Sequence, residues 1–194
     1  MIAYLKGNFV NKSPTVVHVD VNGVGYEVLI SLNTYSKIQN LDSGILHTCL
    51  LVREDAHLLV GFFELAEKEM FLHLISVSGI GATTARIMLS YMKPEDLAKA
   101  IVTGDTRTLE SLKGIGKKTA ERMVLELKDK LAKQVISSNI SHLKNNTLHS
   151  DALNALMALG IARNTADQAI QRVSQSDPAI TSIEDVIKKA LKIL

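Results

Sequence analysis

The sequence predicts a multi-domain α+β chain: a small antiparallel β-barrel first, an all-α region next, and a small three-helix bundle last. Three observations carry this. Hydrophobic alternation of period two fills roughly the first sixty residues and then stops. A helix–turn–helix unit centred on Gly-Ile-Gly then occurs twice, at a constant offset of 35 residues. A polar stretch follows, and beyond it a helical period returns. On these changes we divide the chain into a barrel (1–63), the paired helical units (64–132), a flexible linker (133–149) and a bundle (150–194).

In the barrel segment, residues 15–30 read TVVHVDVNGVGYEVLI. Val17, Val19 and Val21 share one face, with His18 and Asp20 on the other. Asn22-Gly23 is the tip, because both residues tolerate the positive φ of a type I′ hairpin turn. A second hairpin joins LHTCLLV (46–52) to HLLVGFF (57–63) through the polar turn Arg53-Glu54-Asp55-Ala56. The opening MIAYLKGNFV also alternates. About five short strands in this span point to an OB-like barrel. Such barrels hold single strands by stacking bases on aromatic rings. Tyr4, Phe9, Tyr26, Tyr35, Phe62 and Phe63 are the aromatics here, and each has an equally good reading as packing.

The repeat aligns LISVSGIGATTARIML (74–89) with LESLKGIGKKTAERMV (109–124). Leu74 matches Leu109, Gly79 matches Gly114, Ile80 matches Ile115 and Gly81 matches Gly116; Thr84, Ala85 and Met88 match Thr119, Ala120 and Met123. Two similar units argue for two similar sites. Glycine accepts positive φ and lets another backbone approach, while the Ile between the glycines anchors the turn. The first amides of the next helix have no intrahelical acceptor, and the helix dipole is positive there, so each turn suits a phosphate. Lys117 and Lys118 add charge at the second turn, and Arg122 lies one helical turn beyond Lys118. A dinucleotide fingerprint is excluded, because Thr84 and Thr119 stand where G-x-G-x-x-G/A needs its third small residue. A Walker A loop is excluded too: Gly116-Lys117 is followed by Lys118, and Ser111 precedes it by five residues. We therefore expect no nucleotide hydrolysis by this chain.

The last segment has three helical stretches. Ser150 or Asp151 is placed to cap DALNALMAL, with Gly160 to stop it. Asn164 or Thr165 is placed to cap ADQAIQRV, and Thr181-x-x-Glu184 forms a capping box for IEDVIKKALKIL. Leu156, Leu159, Ile161, Ile170, Ile187, Leu191 and Leu194 read mostly as core. A bundle this small leaves some apolar surface for a partner.

Composition bounds the function. The 194 residues carry a net charge of +2, with 46% apolar and 22% charged side chains. By segment the net charge is −1 over 1–63, +2 over 64–134 and +1 over 135–194. This excludes a disordered polyelectrolyte and a histone-like basic coat, so nucleic-acid binding must rest on local geometry and on several copies acting together. No apolar run approaches the roughly 18–20 residues of a membrane span, and no secretory leader opens the chain, so the expected location is cytoplasmic. A single cysteine, Cys49, excludes a disulfide framework or a cysteine zinc site within one chain. We expect no metal, no cofactor and no catalytic residue.

The paired turns resemble tandem helix-hairpin-helix motifs. GIGKKTAERMVLELKDKL (114–131), VREDAHLLVGF (52–62) and NGVGYEV (22–28) are similar to the RuvA family of bacterial Holliday-junction-binding subunits, and the resemblance covers the whole chain in order. The resemblance implies an OB barrel, a tandem hairpin domain and a mobile third domain. It implies a homotetramer that forms a square platform for four-way junction DNA in recombination, DNA repair and the SOS response to DNA damage. By position it puts Gly79, Gly81, Thr83, Gly114, Gly116, Lys117 and Lys118 at duplex phosphates, with Arg122 and Arg53 also at DNA. Glu54 and Asp55 would form the acidic pin at the junction centre, where four copies repel phosphates and hold the strands apart. Residues 150–194 would contact a RuvB-type hexameric ATPase, the motor of branch migration. One tetramer or two stacked ones, with or without a RuvC-type resolvase, are alternatives left open. One departure stands out: family members commonly carry Pro-Lys in the first hairpin, where this chain has Ala82-Thr83. Arg86 is a candidate to compensate.

Two other classes compete. A hairpin glycosylase or nuclease would use an Asp or Lys shortly after the motif; Asp129 and Lys130 stand there but read as an exposed helix end. A barrel that binds single strands or RNA would need more exposed aromatics. The junction platform is the reading we favour.

Overall fold

The computed structural model describes residues 1–140, 146–177, 180 and 182–193, in two compact units, Met1–Ala132 and Lys133–Leu194. The first unit opens with β1 (Tyr4–Lys12), β2 (Val16–Val21) and β3 (Val24–Ile30). Helix α1 (Leu32–Ile38) precedes β4 (Ser43–Val52) and β5 (His57–Phe62). The strands close in the order β1-β2-β3-β5-β4. Neighbours are antiparallel except β3 and β5, which close the barrel in parallel through Leu29–Val60 and Ile30–Gly61. The predicted OB-like barrel is present. Its first hairpin turns at Asn22 (φ 52°) and Gly23 (φ 86°), as the positive-φ turn requires. Val17, Val19, Val28, Ile30 and Leu46 fill the interior, and Phe9 joins them.

The period-two pattern assigns nothing to residues 31–42, where the structure has α1. Ser31 caps it, its hydroxyl accepting the Thr34 N–H. The helix stands where β3 must cross to β4.

The all-α region contains α2 (Leu65–Ile75), α3 (Ala82–Tyr91), α4 (Pro94–Thr103), α5 (Thr106–Glu110) and α6 (Lys117–Ile140). It shares a core with one end of the barrel. Cys49, Val60 and Phe62 pack with Phe71, Leu74, Met88 and Met123, and the Phe62 and Phe71 rings lie 5.0 Å apart. Phe9 and Phe62 are thus core, and Tyr26, Tyr35 and Phe63 pack partly buried against it; Tyr4 alone of the six aromatics is exposed.

The second unit contains α7 (Asn146–Ala158), α8 (Arg163–Ser176) and α9 (Ile183–Ile193) around Ala152, Leu156, Ala166, Ile170, Val173, Val186 and Ala190. The three-helix reading holds, with corrections at its ends. Residues 133–140 continue α6, because neither Gly nor Pro interrupts the run from Lys117. Ser150 and Asp151 lie inside α7, which starts at Asn146, so neither is its cap. Helix α8 starts at Arg163 behind Ala162, so Asn164 and Thr165 fall within its first turn and do not cap it. The reason is the preceding turn: Gly160 (φ 89°) and the Ile161 N–H bond to the Leu156 carbonyl at 3.1 Å end α7 and return the chain at once to helix. Leu159 and Leu191 are exposed, not core, because three short helices cannot enclose every apolar side chain. Thr181 and Leu194 lie outside the described residues, as does 141–145 of the expected linker.

Candidate nucleic-acid interface

The two Gly-Ile-Gly turns are the same structure twice. In the first, Val77 N–H bonds to Leu74 O, Ile80 N–H to Val77 O and Ala85 N–H to Gly81 O. In the second, Leu112 N–H bonds to Leu109 O, Ile115 N–H to Leu112 O and Ala120 N–H to Gly116 O. These partners are shifted by the sequence period, and the second turn adds a Thr119 N–H bond to Gly116 O at 3.0 Å. Gly79 (φ 97°) and Gly114 (φ 91°) occupy the left-handed region, which L side chains enter only with strain. Ile80 and Ile115 are buried and anchor the turns as expected.

Gly81 caps α3 with extended backbone (φ −87°), and no side chain caps that helix. A Cβ at Gly81 or Gly116 would meet nothing within 4 Å. The space beside each glycine is therefore open at the positive ends of α3 and α6, where the first amides other than that of Thr119 lack a helical acceptor, which is the chemistry of an anion site.

The charged side chains divide unequally between the turns. Lys117 and Lys118 are exposed on the first turn of α6, while Ala82 and exposed Thr83 take the equivalent places on α3. Arg86 is turned toward the barrel: its Nη1 donates to the Thr15 carbonyl at 3.3 Å. Arg122 reaches the other way, from α6 to the Ser78 carbonyl of the first turn at 3.3 Å, and it pairs with Glu126 at 3.9 Å. It thus bridges the two turns.

The tip of the β4–β5 hairpin carries Arg53, Glu54 and Asp55, all exposed, in a turn closed by the Arg53 N–H bond to Ala56 O at 2.9 Å. No cluster of three or more His, Cys, Asp or Glu able to hold a metal ion occurs among the described residues. None of the described helices is long and apolar enough to cross a membrane. Asp129 and Lys130 are exposed midway along α6, not at its end.

Sequence reasoning missed the residues that dock the first hairpin unit onto the barrel. Asn33 Nδ2 donates to the Leu89 and Met92 carbonyls, and Leu32 N–H donates to Ser90 Oγ at 3.0 Å. Buried Glu67 accepts from Ser31 and Thr34. The only signal available was a charged residue at an apolar helical position.

Comparison with known proteins agrees with this architecture. Residues 1–61 match the model of the RuvA N-terminal domain, 71–129 a SAM-like helix-hairpin-helix tandem, and 147–194 the RuvA C-terminal domain. Relatives from Flavobacterium psychrophilum (46% identical), Cytophaga hutchinsonii (44%) and Porphyromonas gingivalis (40%) align over the whole of both chains. Each is named Holliday junction branch migration complex subunit RuvA. Three domain models in the same order and end-to-end relatives at this identity establish that the chain belongs to the RuvA family.

Proposed function

We propose that this protein is a non-catalytic platform for four-way junction DNA that recruits and stimulates an ATP-driven motor for branch migration in recombination and DNA repair. The observation that carries the reading is the repeated turn: two phosphate-suited helix starts that share three hydrogen bonds at the 35-residue offset, in one compact unit with an acidic hairpin tip. The names of the end-to-end relatives support it. Gly79, Gly81, Gly114 and Gly116 form the turns whose amides hold duplex phosphates, with Thr83 a polar donor on the first. Lys117 and Lys118 supply charge, Arg122 braces the turns, and Arg53 flanks the pin. Four copies in the cytoplasm form the platform, and residues 150–194 bind a RuvB-type hexameric ATPase. Exposed Met157, Leu159, Leu191 and Ile193 leave that unit apolar surface for a partner. A RuvC-type resolvase is a further partner on this reading.

Branch migration with the cognate motor tests the division of labour. Deleting residues 146–194, which removes α7 to α9 whole, is expected to leave junction affinity within about twofold while abolishing motor stimulation, because the deleted helices have their own core. Loss of junction binding in the deletion would contradict it.

The pin is tested separately. Four copies of Glu54 and Asp55 set many like charges among phosphates, which opens the centre at a cost in affinity. Glu54→Gln with Asp55→Asn is expected to leave or raise junction affinity and to reduce the fluorescence of 2-aminopurine placed at the crossover, as bases restack. A fall in affinity would contradict the pin role.

A further inference from the structure

The joint between the barrel and the first hairpin unit contains a buried carboxylate held by two polar relays. Glu67, in the first turn of α2, is only 2% exposed. Ser31 Oγ donates to its Oε1, and Thr34 Oγ1 donates to its Oε2 at 2.7 Å. Each hydroxyl is fixed in turn by an amide. Ser31 Oγ accepts the Thr34 N–H at 3.0 Å, and Thr34 Oγ1 accepts the Phe63 N–H at 3.1 Å. With an amide on the acceptor side, each hydroxyl directs its own proton at Glu67. The carboxylate thus ends two relays, one from the start of α1 and one from the residue that follows β5.

Those elements decide spacing. Strand β5 runs directly from the Glu54–Asp55 tip, and α2 runs directly into the first Gly-Ile-Gly turn. Burying a carboxylate is costly, and burial pushes the Glu67 carboxyl up in pKa, so an apolar side chain would fill the space more cheaply. Directed hydrogen bonds do what apolar packing does not: they hold α2 to one rotation and one tilt against the barrel. Asn33, Leu32 and Arg86 act on α3, while α2 is also reached by the exposed links of Lys68 to the Ala3 carbonyl at 3.3 Å and of Lys37 to Glu64 at its N-terminal end; the Glu67 bonds are the buried ones.

We propose that Glu67 is a positioning residue, setting where the Gly-Ile-Gly turns stand relative to the acidic tip and thereby governing discrimination between a four-way junction and plain duplex. The consequence for DNA rests on the function proposed above; the geometry does not. A junction seats its arms on the turns of four copies at once with its centre over the tips, so a drift in turn-to-tip spacing spoils the fit on every copy, whereas duplex engages the turns of one copy alone.

The test uses the full chain with spin labels at Ala56→Cys, beside the tip, and Lys113→Cys, at the second turn; Cys49 is buried and stays unlabelled. Pulsed EPR reads the tip-to-turn distance without DNA, and titrations read junction and duplex affinity. Diluted into an excess of unlabelled chain, so that a tetramer carries at most one labelled copy, the otherwise unchanged chain is expected to give one narrow distance. Glu67→Ala should broaden or shift it and lower the junction-over-duplex preference by about tenfold, with duplex affinity changed less than about twofold. Glu67→Gln, which keeps the shape and one acceptor oxygen, should recover a narrow distance and most of the preference. Should Glu67→Ala fail to fold, Thr34→Val cuts one relay and is read by the same criteria. An unchanged distance would overturn the proposal, as would an equal loss of junction and duplex affinity, which signals only less folded protein. A parent chain without junction preference would instead overturn the function reading, with the distance still deciding Glu67.

Discussion

Replacing Lys117 and Lys118 together by Ala is expected to weaken binding to every DNA by about 10- to 100-fold and to flatten its salt dependence, the log–log slope falling by about 0.9 for each phosphate no longer neutralised. Both lysines are exposed on the first turn of α6. Neither has an acidic partner among the described residues, so both charges are free for phosphate. The first turn offers Ala82 and Thr83 in their place, and Arg86 is engaged with the barrel at Thr15. On the proposed function the second turn would carry the charge and the first would work through backbone amides. Restoring a lysine with Thr83→Lys should accordingly tighten binding several-fold and steepen the slope. Filter-binding titrations from low to moderate salt read both effects. An unchanged slope in the double-Ala variant would mean that these lysines do not touch phosphate.

The second large effect separates the two glycines of each turn. Gly79 and Gly114 have positive φ, so Ala at either costs about 1–3 kcal/mol of stability through backbone strain. Gly81 has ordinary extended backbone, and a Cβ there or at Gly116 meets nothing in the protein. Ala at Gly81 and Gly116 should change thermal stability little, the restriction of the unfolded chain offsetting the loss of a glycine at the start of each helix. On the proposed function the added methyls would nevertheless stand where a phosphate approaches the amides. The double variant is expected to lose about tenfold or more in DNA affinity while melting like the parent, since a charge-assisted bond to an amide weakens steeply with distance. Calorimetry beside a DNA titration reads the two apart. A Gly81→Ala, Gly116→Ala chain that binds DNA normally would show that the turns do not face phosphate.

Much of the fold is legible in the sequence because it is local. Asn22-Gly23 names its own turn type, and both residues take the required positive φ. The Gly-Ile-Gly units declare themselves by repetition, and the structure repeats the three bonds that close each turn. What is not legible depends on interactions between distant residues. The parallel β3–β5 closure joins Leu29 to Val60 and has no local pattern. Arg86 has the same local context whether it serves DNA or Thr15, and only the docking of α3 on the barrel decides. Glu67 breaks an apolar face, yet its meaning comes from Ser31 and Thr34, more than thirty residues earlier. The helix ends differ for another reason. Asn164 is passed over because the Gly160 turn already sets where α8 begins, and Asp151 falls inside α7.

The central claim is that paired turns and an acidic tip together recognise a four-way junction. Its most direct test is a gel-shift titration at fixed, near-physiological salt, comparing an immobile four-way junction with a duplex and a single strand of equal nucleotide count. A junction platform is expected to show strong preference for the junction, retained at salt that releases the duplex. Equal affinity for junction and duplex would contradict the claim and leave a general hairpin-domain binder; preference for the single strand would contradict it in favour of the barrel.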